Sequence, residues 1–322
     1  MPKRDSLDFT FDATKVNLGF LQRYLSSVVS NVKGVGTGKV RMSGRTKNIG
    51  FEGNVFAENA KATVDYTKTT YSFSDTIKLT QKSISFDKIK IYDDDKNSGI
   101  LSGVVNHNGM FKNMNFDAKV TTKNLMALNT SVVDNDFFYG KAYASGDVHI
   151  YGTETDIYFD INVASRPKTK FYLSVGSAET ANENNFITFI SHPQNTTDTA
   201  KPKIIEKSDS KVYLNMEIDV NPDAEIQLVI DPKGGDRIAA TGNGNLRLTY
   251  DDNNDMKLYG GYTLDKGDYL FTFQNILRKE FSIEQGSSIL WSGDPFHGKL
   301  DIRALYTLTA SLRDLMDEAS LK

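Results

Sequence analysis

The sequence predicts an all-β chain. Apolar residues recur at every second position through most of its 322 residues. The stretches between them are rich in Gly, Asn and Asp, and after the first segment no apolar pattern at helical spacing intervenes until the C-terminus. Alternation gives each strand one apolar face, and the turn residues join neighbouring strands. Without helices between them, βαβ units are disfavoured and successive strands are expected to meander.

The opening segment, "MPKRDSLDFTFDATK", sets Leu7, Phe9 and Phe11 at alternate positions and reads as a strand. Its basic start is followed by neither an apolar run nor a small-residue cleavage site, so it is no signal peptide and reads as the start of a fragment. From Asn17 to Gly34 the period changes: Leu18, Leu21, Leu25, Val28, Val29 and Val32 recur at three- and four-residue steps. This predicts a short amphipathic helix over about 17–33, capped by Asn17 and stopped by the glycines of "GVGTGKV". With Arg23 midway, it would cover an apolar edge and not span a bilayer.

Period two then takes over. Val55 and Ala57, then Ala60, Ala62 and Val64, then Tyr71 and Phe73, Ile77 and Leu79, Ile84 and Phe86, and Ile89 and Ile91 form closely spaced strands. "DDDKNSG" (93–99) and "NHNG" (106–109) are turns between them. The series runs on through Phe116, Ala118 and Val120, through Val148 and Ile150, through Ile157 to Val163, and through Phe171, Leu173 and Val175. The polar stretch 191–210 cannot bury enough apolar surface to order itself and is expected to be a mobile loop. Alternation resumes in "VYLNMEIDV" (212–220), "AEIQLVI" (224–230), "NLRLTY" (245–250) and "GDYLFTFQ" (267–274). Leu312, Leu315 and Met316 return to helical spacing at the end. The expected organisation is a β repeat region over 1–175, a polar loop region over 176–211 and a C-terminal β domain over 212–322.

The totals narrow the function. A net charge of -3 supplies no basic field for nucleic acid. Cysteine is absent, which excludes disulfides and thiolate chemistry. No run of about 18 apolar residues is present, the minimum for a spanning helix. "GVGTGKV" lacks the spacing of a phosphate loop, with Val40 where the magnesium-binding hydroxyl belongs. "DDDKNSG" offers Asp93, Asp95 and Asn97 at calcium-loop intervals, but Val104 stands where the bidentate Glu belongs, and a hairpin turn is the better reading. His107, His149, His192 and His297 are not at metal-ligand spacing, and they read as solvated or turn residues. No catalytic constellation is found, and neither a cofactor nor a metal is implied.

The segment Gly242 to Tyr306 carries a specific pattern: Gly242, Gly244, Leu246, Gly260, Tyr262, Gly267, Tyr269, Phe271, Phe281, Ile283, Gly286, Trp291, Gly293, Asp294, Pro295, Ala304 and Tyr306. It resembles the C-terminal domain of TamB, of the AsmA-like family, in its Bacteroidetes-type form. The upstream residues 219–238 and 15–165 are similar to the preceding repeats of such proteins. The resemblance implies an elongated, folded-over, taco-like meandering β-sheet with an apolar groove. It further implies a periplasmic place, an inner-membrane anchor at the N-terminus of the full-length protein, and a BamA-like or TamA-like outer-membrane barrel as partner. The cargo it implies is the acyl chains of phospholipids moving between the two membranes. Ile226, Leu228, Ile230, Leu246, Leu248, Tyr269, Phe271, Phe273 and Ile283 are the candidate groove residues. The alternatives are a structural or adhesive β-solenoid with a dry core, an outer-membrane barrel, and a glycan-binding or glycan-cleaving β protein.

Overall fold

The computed structural model describes residues 6–25, 29–45, 48–108, 113–174, 211–232, 234–251, 255–273 and 277–308. Its strands are β1 (Ser6–Asn17), β2 (Val29–Arg45), β3 (Asn48–Val64), β4 (Thr69–Thr80), β5 (Ser83–Tyr92), β6 (Ser98–Asn106), β7 (Asn115–Thr130), β8 (Phe138–Thr153) and β9 (Asp156–Ser165). There follow β10 (Lys170–Ser174), β11 (Lys211–Val220), β12 (Glu225–Asp231), β13 (Asp236–Tyr250), β14 (Met256–Phe273), β15 (Leu277–Ile283), β16 (Ser288–Gly293), β17 (Lys299–Asp301) and β18 (Ala304–Leu305). All join one sheet, so the two β regions expected from the sequence are continuous.

The expected helix over 17–33 is not formed. Asn17 does cap a turn, its Oδ1 accepting the Gly19 N–H at 2.7 Å, but the helical stretch is only Leu18–Leu21 as a 3-10 turn and Gln22–Leu25 as one α-turn. From Val29 the chain is strand β2. Val29, Val32 and Val35 are β-branched, lose rotamer freedom in a helix and suit a pleated surface, and they override the helical spacing. The glycines of "GVGTGKV" therefore lie inside β2 and not at a helix stop: Gly34 takes φ +116°, and a Cβ on Gly38 would stand 2.1 Å from the Asn54 carbonyl oxygen of β3. The expected C-terminal helix, the loop 191–210 and Val175 lie outside the described residues.

Neighbouring strands pair antiparallel, as a meander requires, except at one step. β9 runs parallel to β11, and β10 parallel to β12. A parallel step needs a long return connection, and residues 175–210 stand between these strands in sequence. Among the described residues no register pairing joins the two edges: β1 pairs with β2, and at the other end β17 and β18 pair with β16 and β15.

A line of irregularities crosses the sheet. Register shifts fall at Ala13/Val16, Ala57/Ala60, Phe86/Ile89, Thr122/Leu125 and Thr241/Gly242. On the same line the strands β9–β10, β11–β12, β15–β16 and β17–β18 are interrupted. Bulges bend and twist the strands that carry them, so an aligned row of them is a crease. Three use one device. Lys15, Asn59 and Lys88 adopt left-handed φ of 51°, 50° and 52°. Each donates its backbone N–H to a hydroxyl on the next strand: Thr37 at 3.1 Å, Ser74 at 2.9 Å and Ser102 at 3.2 Å.

The crease carries much of the buried core. Ala57, Ile89, Ala224, Leu264 and Ser287 all lie on it or beside it and are fully buried. Two apolar clusters sit there. The larger unites Leu228, Ile238 and Ile283 from one side of the crease with Val220, Leu258, Tyr262, Ile289 and Trp291 from the other. The sheet is therefore folded over on its apolar face.

Candidate functional site

In-register partners share a face, so the apolar face can be followed across the sheet. One row passes from β1 to β11 through Phe11, Val40, Gly53, Leu79, Ile84, Val105, Phe116, Gly152, Ile157 and Val212. A second passes from β5 to β14 through Ile89, Leu101, Val120, Val148, Ile161, Met216, Leu248 and Leu258. Neither contains a charged residue. The ends of the second row, Ile89 and Leu258, are buried, while Leu101, Val120, Val148, Ile161, Met216 and Leu248 are only half-buried. A closed core would cover them. They form instead the wall of an apolar trough whose floor is the crease.

The opposite face is polar. Arg41 and Asp8 pair at 2.7 Å, Lys61 and Asp94 at 2.9 Å, and His149 and Asp117 at 3.0 Å. The bidentate Arg41 guanidinium holds the Asp8 carboxyl below its usual range. Tyr151, Tyr158 and Tyr213 stack across β8, β9 and β11 with centroids 5.2 and 4.7 Å apart.

Beyond the crease a further row continues the apolar face: Phe138, Leu173, Leu228, Ile238, Tyr269 and Phe281. A bulge keeps it there. On β14 below the crease the even residues Leu258, Tyr262 and Leu264 face inward, and above it the odd residues Gly267 and Tyr269 do so. The one residue gained, Asp265, absorbs the change of parity.

The residues singled out from the sequence are distributed over this face. Leu228 and Ile283 are buried in the larger cluster, and Ile226, Ile230, Leu246, Leu248 and Tyr269 are half-buried against it. Phe271 is half-buried and meets Tyr269 edge-on at 6.2 Å. Phe273 is the last residue of β14, and its side chain lies outside the described residues. Sequence reasoning placed Val120, Val148, Ile161 and Met216 on apolar strand faces but did not single them out as groove residues, because alternation marks an apolar face without saying how much of it a facing wall covers.

The rims of the two walls touch. The Phe137 and Phe296 rings are 5.0 Å apart. Phe296 is aimed by its loop: the Trp291 indole N–H donates to the Pro295 carbonyl at 3.1 Å, and the Asp294 carboxylate accepts the Phe296 N–H at 2.8 Å and lies 2.6 Å from His297 Nδ1. Burial pushes the Asp294 carboxyl up, but the His297 ring and the Phe296 N–H pull it further down, below its ordinary value. Where the trough ends, Ile230, Ile238, Tyr269, Phe281, Leu300, Ile302 and Ala304 line an open apolar recess of about 470 Å³.

The expected turns take two forms. "DDDKNSG" is a hairpin turn closed by Asp93, with no metal-ligating group of three acids or histidines among the described residues. His107, read as a solvated or turn residue, follows the end of β6 but is buried, its backbone N–H donating to the Lys82 carbonyl at 2.8 Å, and burial lowers its pKa. Among the described residues no helix is long and apolar enough to cross a membrane. A family model described as the TamB C-terminal domain matches residues 87–321. No curated protein and no solved structure matches the chain.

Proposed function

The chain belongs to the TamB C-terminal domain family, and from that premise we propose that it is a periplasmic segment of a lipid-conducting sheet. In this reading the trough shields phospholipid acyl chains on their way between the inner and outer membranes and so serves outer-membrane biogenesis. The observation that carries it is the half-buried apolar run Val148, Ile161 and Met216, which lies between the two buried clusters and packs into neither.

Each methylene moved out of water contributes about 0.8 kcal/mol, so a 16-carbon tail exposed between membranes faces a barrier on the order of 12 kcal/mol. An apolar trough removes most of that barrier. Movement between two apolar surroundings breaks no bond, so the reading needs no catalytic group. The full-length protein would be anchored in the inner membrane and would meet a BamA-like or TamA-like barrel at its C-terminal end.

A second reading, a structural sheet with a dry core, is favoured by the tight packing of Leu228, Leu264, Ile283 and Trp291 in the C-terminal section. Native mass spectrometry separates the two. Protein purified without detergent should carry phospholipid, and Val148→Asp should remove it while cooperative melting persists, because water can reach a charge in an open wall. Lipid-free wild-type protein together with outright unfolding of Val148→Asp would favour the dry core.

A further inference from the structure

We propose that the C-terminal end of the trough is a seat for a phospholipid of net negative charge, with one tail in the terminal recess and the phosphate on the Lys279 ammonium. The proposal rests on the acyl-chain reading above and adds where a chain comes to rest and which headgroup is held there.

Lys279 is paired in register with Phe271 and stands two residues from Phe281 on β15, so it lies on the apolar face and points the same way as the residues that line the recess. It is half-buried. Other cations of the sheet, Lys39, Arg41, Lys61, Lys141, Lys170 and Lys257, lie on the polar face and are each paired with a carboxylate. No carboxylate of the described residues forms an ion pair with Lys279. Its Nζ sits instead 4.7 Å over the Tyr306 ring, and that ring lies 5.3 Å from Phe281. A cation–π contact positions an ammonium without neutralising it.

A positive charge with no carboxylate partner among the described residues therefore stands on the recess's face, two residues from its lining residue Phe281. A neutral tail needs no such charge. A phosphate held by the ammonium makes a charge-assisted hydrogen bond while its tail stays in the recess. A zwitterionic headgroup brings its own ammonium close to Lys279, a like-charge approach that a net negative headgroup avoids.

The chain has one tryptophan, Trp291, on the same face of the sheet and two residues from Ile289, which pairs with the recess residue Leu300. Its fluorescence reports a heavy atom in the recess. The full chain is titrated with vesicles of phosphatidylglycerol or of phosphatidylcholine, each brominated on one acyl chain. Wild-type protein should be quenched at roughly fivefold to tenfold lower phosphatidylglycerol than phosphatidylcholine. Lys279→Gln should abolish that preference while still being quenched by both lipids, and Lys279→Arg should keep it. Equal response to the two lipids in the wild type, or an unchanged preference in Lys279→Gln, overturns the headgroup seat alone. Absence of quenching by either lipid overturns the acyl-chain reading and the seat with it.

Discussion

Asp93 is 1% exposed, and its carboxylate is fully engaged. It accepts the Asn97 backbone N–H at 2.9 Å, the Asn97 side-chain amide at 3.0 Å and the Met126 N–H of β7 at 2.8 Å. The hairpin turn that the sequence predicted is thus also a tie between the β5–β6 hairpin and β7. Asp93→Ala leaves the buried Met126 donor without that acceptor and should cost about 2–3 kcal/mol in urea unfolding. A loss below about 0.5 kcal/mol would contradict this role. Two residues on, Asp95 binds the Tyr143 hydroxyl and the Lys141 ammonium, and these two partners lower its pKa. A carboxyl whose folded pKa is depressed stabilises the fold fully above its unfolded value and loses that contribution as pH falls through the folded one. Acid titration should therefore show a component below the ordinary carboxylate range that Asp95→Asn removes. Burial also separates neighbours on the apolar face: Ile89→Ala, at a fully buried floor position, should cost about 2–5 kcal/mol. Val148→Ala, on the half-buried wall, should cost about 1 kcal/mol.

At the scale of the elements, the crease explains what the sequence made legible and what it hid. The strands were legible, because β-branched and aromatic residues at period two fit a sheet with one buried face. The crease was also written there, as jumps of three in the alternation from Ala57 to Ala60 and from Phe86 to Ile89. Such a jump reads equally as the end of one strand and the start of the next. Only pairing with neighbours shows that the strand continues through a bulge. The helix over 17–33 failed for a related reason: Leu18, Leu21 and Leu25 do have helical spacing, but pairing of Val29 to Arg45 with β3, and of Val35 to Arg45 with β1, outweighs the local period. The candidate groove residues of β12 and β14 shared a face as alternation implied, whereas their depth depended on a wall contributed by other strands. Deleting Asp265 tests the bulge directly. Without the parity change, Tyr269 and Phe271 turn to the polar face, so dye binding to exposed apolar surface should rise and the cooperative melt should weaken. A variant that melts like the wild type would contradict the crease as described. Ser74→Ala and Ser102→Ala each remove the acceptor of one left-handed bulge residue and should lower stability by about 1 kcal/mol.

For the whole molecule, the decisive feature is a sheet folded along one line, with no register pairing that joins its edges among the described residues. A barrel joins its edges, and a solenoid with a dry core covers its apolar stripes. Here the apolar face continues to β1, where Phe9 and Phe11 are 51% and 49% exposed. Between that edge and the packed C-terminal cluster the row from Leu101 to Met216 is half-buried. In the proposed function acyl chains would complete its packing, and the contact of Phe137 with Phe296 lies near the C-terminal end of the trough. Adjacent residues on β8 and on β11 point to opposite faces, so they give matched positions for the central test. A photoreactive amino acid is placed at Val148 or Met216, on the apolar face, and at His149 or Glu217, on the polar one, and cross-linked products are recovered from cells. Phospholipid adducts from 148 and 216, with none from 149 and 217, are the predicted result. The contradicting result is no lipid adduct at 148 or 216, or equal yields from both faces.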